Sequence, residues 1–335
     1  MKPISILILI LCACFGAARG QQAAGKCVSA WTEFHWTNME RWNKCETLLD
    51  VNNVGSLSLE WGFTTSGEVW SSPAVANGVV YVGSLDSNVY ALNTVTGAKL
   101  WTYTTGWAVY SSPAVADGVV YVGSKDNNVY ALNAKTGTKL WSYTAGTWVE
   151  SSPAVAKGVV YVGSYDYNVY ASNAKTGAKL WSYTTGNIVD SSPAVANGVV
   201  YVGSADNNVY ALNAKTGAKL WSYTTGSGVY STPAVANGVV YVGSYDYNVY
   251  ALKAKTGAKL WSYTTGNVVA SSPAVANGVV YVGSDDANVY ALNASTGAKL
   301  WSYATGNEVR SSPAVANGLV YVGSWDNNVY AFGLQ

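Results

Sequence analysis

SSPAVAKGVVYVGSYDYNVYASNAKTGAKLWSYTTG, residues 151–186, returns almost unchanged at a constant interval along this chain of 335. The pair that opens it stands at Ser72-Pro73, Ser112-Pro113, Ser152-Pro153, Ser192-Pro193, Thr232-Pro233, Ser272-Pro273 and Ser312-Pro313, which makes seven copies. A fixed period of this kind, with β-branched and aromatic composition, predicts a propeller or a solenoid built from one repeated β unit.

The strands can be read within one copy. Residues 73–76 (PAVA) are a short apolar run ended by Asn77-Gly78, a dipeptide that favours the two-residue type I′ hairpin. Residues 79–82 (VVYV) predict a second strand, 83–87 a turn, 88–92 (NVYAL) a third strand, 93–97 another turn and 99–103 (KLWTY) a fourth. Four short antiparallel strands make one propeller blade, and the small side chains of the first suit the crowded axis.

The two ends decide between ring and open array. A fourth-strand sequence at 57–63 (LSLEWGF) precedes the first complete copy, whereas the last copy stops at 328–335 without one. The expectation is an all-β, seven-bladed propeller of four-stranded antiparallel blades over residues 57–335. Strand 57–63 pairs with 328–332, completes the last blade and closes the ring, which removes the exposed sheet edges of a linear array.

Composition narrows the function. Charged residues are 11% of the chain and the formal net charge is +1, which argues against disorder and against a nucleic-acid partner. The single histidine, His35, leaves little room for histidine catalysis or a multi-histidine metal site. Residues 1–20 give a basic start and a short apolar run, read as a signal peptide with Ala18 and Gly20 suiting cleavage before Gln21. The expected location is secreted or periplasmic, with no transmembrane span. Leu11-Cys12-Ala13-Cys14 loosely resembles a bacterial lipoprotein box, which makes a lipid anchor at Cys14 the minor alternative. Cleavage leaves Cys27 and Cys45, a pair that in an exported protein most simply forms a disulfide, worth about 3 kcal/mol in the chain-entropy model. They lie in a Cys/Trp-rich lead-in, residues 21–56, whose Trp31, Phe34, Trp36 and Trp42 suggest packing against the main body as a clasp, with a binding role as the other reading.

Ala91, Gly97 and Trp101 recur as Ala131, Gly137 and Trp141 through Ala291, Gly297 and Trp301. This spacing resembles the tryptophan-docking motif of the pyrroloquinoline-quinone (PQQ) repeat propellers, which include quinoprotein alcohol dehydrogenases and BamB-type outer-membrane assembly lipoproteins. The resemblance implies that Trp61, Trp101, Trp141, Trp181, Trp221, Trp261 and Trp301 each dock on a neighbouring blade. It also implies, as the alternative to a binding protein, a PQQ-dependent dehydrogenase of alcohols or sugars holding PQQ above calcium. No cofactor is expected from the residues themselves. The chain departs from the family's motif where Asn93 and Lys253 stand for its usual Asp, and the dehydrogenases usually have eight blades. It also has no adjacent cysteine pair after cleavage.

Near-identical copies provide an internal comparison, because differences mark positions released from shared packing. Just before the Ser-Pro stand Trp70, Tyr110, Glu150, Asp190, Tyr230, Ala270 and Arg310. Two places earlier are Glu68, Ala108, Trp148, Ile188, Gly228, Val268 and Glu308, with Trp107 beside them. After the second strand come Leu85, Lys125, Tyr165, Ala205, Tyr245, Asp285 and Trp325. Antiparallel connectivity places all three sets on one face, where the first would rim the axial mouth. Aromatic, concave and sparsely charged, such a mouth is a default ligand site, the other reading being drift at loop tips. The candidate ligands are a protein or a small molecule such as a sugar, bound by a monomer.

The face also collects a repeated Asp, from Asp86 to Asp326, while most lysines fall on the opposite face. The repeated Asp is expected to serve its turn first. A cation held between Glu150 and Asp190 on adjacent blades is a weaker expectation. Asn293-Ala-Ser is an acceptor sequon, meaningful only in an organism that glycosylates exported proteins.

Overall fold

The computed structural model describes residues 60–316 and 319–333. Among these residues the chain is entirely β, in six four-stranded antiparallel sheets and a final three-stranded one, each with its strands in sequence order. The blades span 74–104, 114–144, 154–184, 194–224, 234–264, 274–304 and 314–332. The expected signal peptide, the expected Cys27–Cys45 disulfide, the whole lead-in 21–56 and the first residues of segment 57–63 lie outside the described residues.

Blade 3 shows how the sequence specifies each unit. Its strands are Ala154–Ala156, Val159–Gly163, Asn168–Asn173 and Lys179–Thr184. The first turn, Lys157-Gly158, has both φ angles positive (49° and 75°), the geometry of the type I′ hairpin. The third turn is built on Asn173, whose Oδ1 accepts the N–H groups of Lys175 and Thr176 at 3.0 Å each. The third and fourth strands slip register beside Ala171, so Ala171 faces Trp181 and Ser172 faces Lys179, leaving Leu180 as the extra residue of a bulge. That bulge accounts for the exposed Leu at this position and leaves Trp181 turned onto blade 4.

Blade 5 departs at one of these points. Lys253 stands where blades 1 to 4 and 6 have Asn, and it keeps the backbone bond from Gly257 N–H to its carbonyl, 2.8 Å, without the side-chain acceptor. Lys253→Asn is therefore expected to stabilise the protein by about 0.5–1.5 kcal/mol, read as a higher urea midpoint at unchanged slope.

Packing is between blades more than within them. Tyr161, Val169, Ala171, Trp181 and Val189 of blade 3 and its exit share one buried cluster with Val200, Val202, Tyr210 and Leu212 of blade 4. Equivalent shared clusters join blades 1 to 2, 2 to 3, 4 to 5 and 5 to 6. In five blades the residue before the proline supplies an N–H, which proline itself lacks, to the next blade. Ser72 N–H donates to Ser112 Oγ, Ser112 to Ser152 and Ser152 to Ser192, at 2.9–3.0 Å, and Thr232 to Ser272 continues the series.

Near the start of the described residues, Trp61 donates its Nε1–H to the Thr94 carbonyl at 3.0 Å, and with Phe63 it packs on Val82, Tyr90 and Leu92 of blade 1. This is the docking that every later fourth strand makes on its successor, up to blade 5 on blade 6. Residues 60–63 carry no strand pairing among the described residues. Blade 7 presents its third strand, Val329–Phe332, as an edge on which Val329 is 80% exposed. The seat of Trp61 is consistent with closure by this segment.

Candidate functional site

The three variable sets are drawn together by backbone hydrogen bonds. In all seven blades the N–H after the second strand donates to the carbonyl two residues before the mouth position, from Leu85 to Glu68, Lys125 to Ala108 and Tyr165 to Trp148 through to Trp325 to Glu308, at 2.9–3.0 Å. The turn residue is thereby fixed beside the loop that enters the first strand of its own blade.

The repeated Asp is the scaffold of that loop. Asp206 accepts Asn208 N–H on Oδ1 at 2.9 Å and, on Oδ2, the Tyr210 hydroxyl at 2.7 Å and Gly186 N–H from the preceding connection at 2.6 Å. For Asp246, burial alone would raise the carboxyl, but the bonds from Tyr250, Gly226 and Asn248 outweigh it and hold the group below its usual range. These carboxylates are structural, fully engaged with donors, so the charge available to a ligand comes from the varied positions.

The mouth reads as a belt of paired side chains. Trp70 lies edge-on to Tyr110, with ring centroids 5.4 Å apart, and its Nε1–H donates to Glu68 at 2.6 Å. Lys125 places its ammonium over the rings of Tyr110 (4.2 Å) and Trp148 (4.5 Å) and pairs with Glu150 at 3.0 Å. Trp107 meets Trp148 edge-on at 5.8 Å, and the Tyr165 hydroxyl donates to Glu150 at 3.4 Å. Tyr230 and Tyr245 lie 4.4 Å apart. Arg310 binds Asp285 through Nε and Nη2 (2.8 Å at the shorter contact), reaches Glu308 at 3.3 Å and covers Trp325 at 4.4 Å. Trp70, Trp107 and Trp325 remain exposed.

Asp190 stands apart. No donor or cation engages it among the described residues, and its side chain is half-buried. Its carboxyl is pushed up to about 7, first by burial and next by the charge on Glu150, with Lys125 pulling the other way. Burial and the charges of Asp190 and Glu150 likewise raise Tyr165 well above the ordinary phenol range. Sequence reading places Lys125 and Arg310 among the varied positions without assigning them partners. Both are in fact matched to a carboxylate at one and the same sequence offset, Lys125 forward to Glu150 and Arg310 back to Asp285. That offset, from one blade's turn to the next blade's entry, is a signal the sequence already carries.

The outer membrane protein assembly factor BamB family matches residues 55–107, 104–188, 186–271 and 248–334. The chain belongs to that family. The BamB crystal structure from Moraxella catarrhalis superimposes with a TM-score of 0.73 at 20% identity, covering 83% of this chain and 88% of that one. The computationally designed Ika8 protein superimposes at 0.59 and 18% identity, covering 81% and 97% respectively. Both likenesses concern the fold. No sequence match is found among curated proteins.

The PQQ and calcium pair implied by the dehydrogenase branch does not fit this mouth. PQQ is a polyanion, and the two basic side chains of the belt are already neutralised while Asp190 adds a further negative charge. Glu150 is engaged by Lys125, and no group of three or more metal-ligating side chains is present among the described residues.

Proposed function

We propose that this BamB-family propeller is an exported, non-catalytic binding module that takes its protein or small-molecule ligand, sugars included, on the mouth-side face. One observation carries the reading. Side chains that the repeats leave free to differ are gathered into one contiguous aromatic and charged belt, while the backbone beneath them is held constant by the Asp turns. Exposed tryptophans beside such a belt are the residue type that dominates binding energy at interfaces.

The test is a protein and glycan array probed with the purified full chain. Trp107→Ala and Trp325→Ala, both at exposed positions, are expected to weaken any ligand at least tenfold, roughly 1.4 kcal/mol or more. Lys139→Glu and Lys179→Glu on the opposite face should leave binding unchanged. Loss with the lysine variants and retention with the tryptophan variants would place the function on the other side of the disc.

A further inference from the structure

The side of the disc away from the mouth has a chemistry of its own. In all six complete blades the turn between the third and fourth strands is bonded to the turn between the first and second. In blade 3 this is the bond from Ala174 N–H to the Gly158 carbonyl, and its equivalents span 2.9–3.1 Å. Both turns and the start of the fourth strand therefore lie together, at the strand ends opposite the mouth loops. These ends carry twelve of the fourteen basic side chains of the described residues, all twelve exposed, against only Asp117 and Glu60. The mouth side has the other two, Lys125 and Arg310, with twelve carboxylates. The ion pairs among the described residues are all at the mouth, so none of these twelve lysines is matched to a carboxylate there. Next to each lysine that opens a fourth strand stands a leucine, as in Lys139-Leu140, Lys179-Leu180 and Lys219-Leu220. The same register slip occurs there in six blades, and it leaves the six leucines 42–55% exposed. One exposed leucine is ordinary, but six at one register, each beside an unpaired lysine, make a repeated cationic and apolar collar.

Uniformity selects the kind of partner. The mouth differs from blade to blade, whereas this side presents the same Lys-Leu pair in six successive blades and has little with which to tell one part of a partner from another. It fits a surface that is itself uniform, negatively charged and able to take up apolar side chains. An acidic polypeptide or a nucleic acid would satisfy the lysines and leave the leucines in water. From this collar we infer that the side away from the mouth docks on a bilayer carrying anionic lipids. The lysines lie on the headgroup phosphates and the leucines enter the boundary between headgroups and acyl chains. The same surface repels the twelve mouth-side carboxylates, which turns the mouth away from the membrane and leaves it open to its ligand. The inference is independent of what the mouth binds.

The test is flotation of the purified full chain with vesicles of phosphatidylcholine alone and of phosphatidylcholine mixed with phosphatidylglycerol, at low and at high salt. Binding to the anionic vesicles is expected to be at least tenfold tighter than to the neutral ones, and at least tenfold weaker at high salt. Lys139→Glu, Lys179→Glu and Lys219→Glu combined should weaken it at least tenfold, and Leu140→Ser, Leu180→Ser and Leu220→Ser combined at least threefold. All six positions are exposed, so both variants should melt like the wild type. Trp107→Ala, on the mouth side, should float unchanged. The variants share one N-terminal region, so anything that region adds to vesicle binding is common to them all. Equal binding to the two kinds of vesicle, or a folded lysine variant that floats like the wild type, would overturn the inference. So would soluble polyglutamate binding as tightly as the anionic vesicles with no loss in the leucine variant, which would assign the collar to an acidic protein. A chain that floats on anionic vesicles yet finds no ligand on the array would support the membrane face and remove only the reading of the mouth.

Discussion

Trp181→Ala is expected to cost about 3–5 kcal/mol, seen as a lower guanidinium midpoint, because the side chain joins two blades in three ways at once. Its ring is buried to 8% exposure in the cluster shared by blades 3 and 4, and its Nε1–H reaches the Ala214 carbonyl at 3.0 Å. That carbonyl also accepts the Tyr161 hydroxyl at 3.1 Å, so truncation leaves an acceptor half served. The ring also lies flat against Gly217, where a Cβ would fall 2.7 Å from it at a φ of +72°. Gly217→Ala alone should therefore also be costly, by roughly 1–2 kcal/mol for the left-handed backbone and more for the displaced indole. In the double variant the steric part disappears. The two changes together should cost less than their sum by about 0.5 kcal/mol or more, and additive costs would show that indole and glycine do not act as a unit.

The second large effect is a gain. Asp190→Asn should raise stability at pH 8 and leave it nearly unchanged at pH 4. The carboxyl is pushed from 3.8 to about 7 on folding, so its favourable contribution is complete below the unfolded value and disappears as pH rises through the folded one. The loss integrates to roughly 4 kcal/mol at most, and solvent contact through the mouth makes the realised figure smaller. Melting curves of wild type and variant from pH 4 to pH 9 should diverge through the neutral range. Parallel curves would mean that Asp190 is paired in solution.

Much of the architecture was legible because it depends on local chemistry. Asn77-Gly78 announced a hairpin that its positive φ angles bear out, and the Ala-Gly-Trp spacing announced a docking now visible in the bonds from Trp101 to Ala134 and from Trp141 to Ala174. The repeated Asp reads as a turn former, and Asp206 is one. Closure of the ring is an expectation from the phase of the repeat in the sequence. What the structure adds there is the seat of Trp61 on blade 1, whereas Trp301, at 38% exposure, has no counterpart of that bond among the described residues. The mouth was legible as a set of positions and illegible as a set of partners. Whether Lys125 stays free or is taken by Glu150 depends on distances between consecutive blades.

The separation of a constant backbone from a varied rim also bears on how such a gene changes. Unequal exchange between two copies of the coding repeat would remove or add one whole unit, and each new junction would meet the same indole seat, with Ser or, from the fifth copy, Thr232 next to the proline. Loss of residues 190–229 would carry off Asp190 and set Tyr165 beside Tyr230 in one genetic step, with no blade broken. Copy number would then change the make-up of the rim in whole units, where a point substitution changes one side chain.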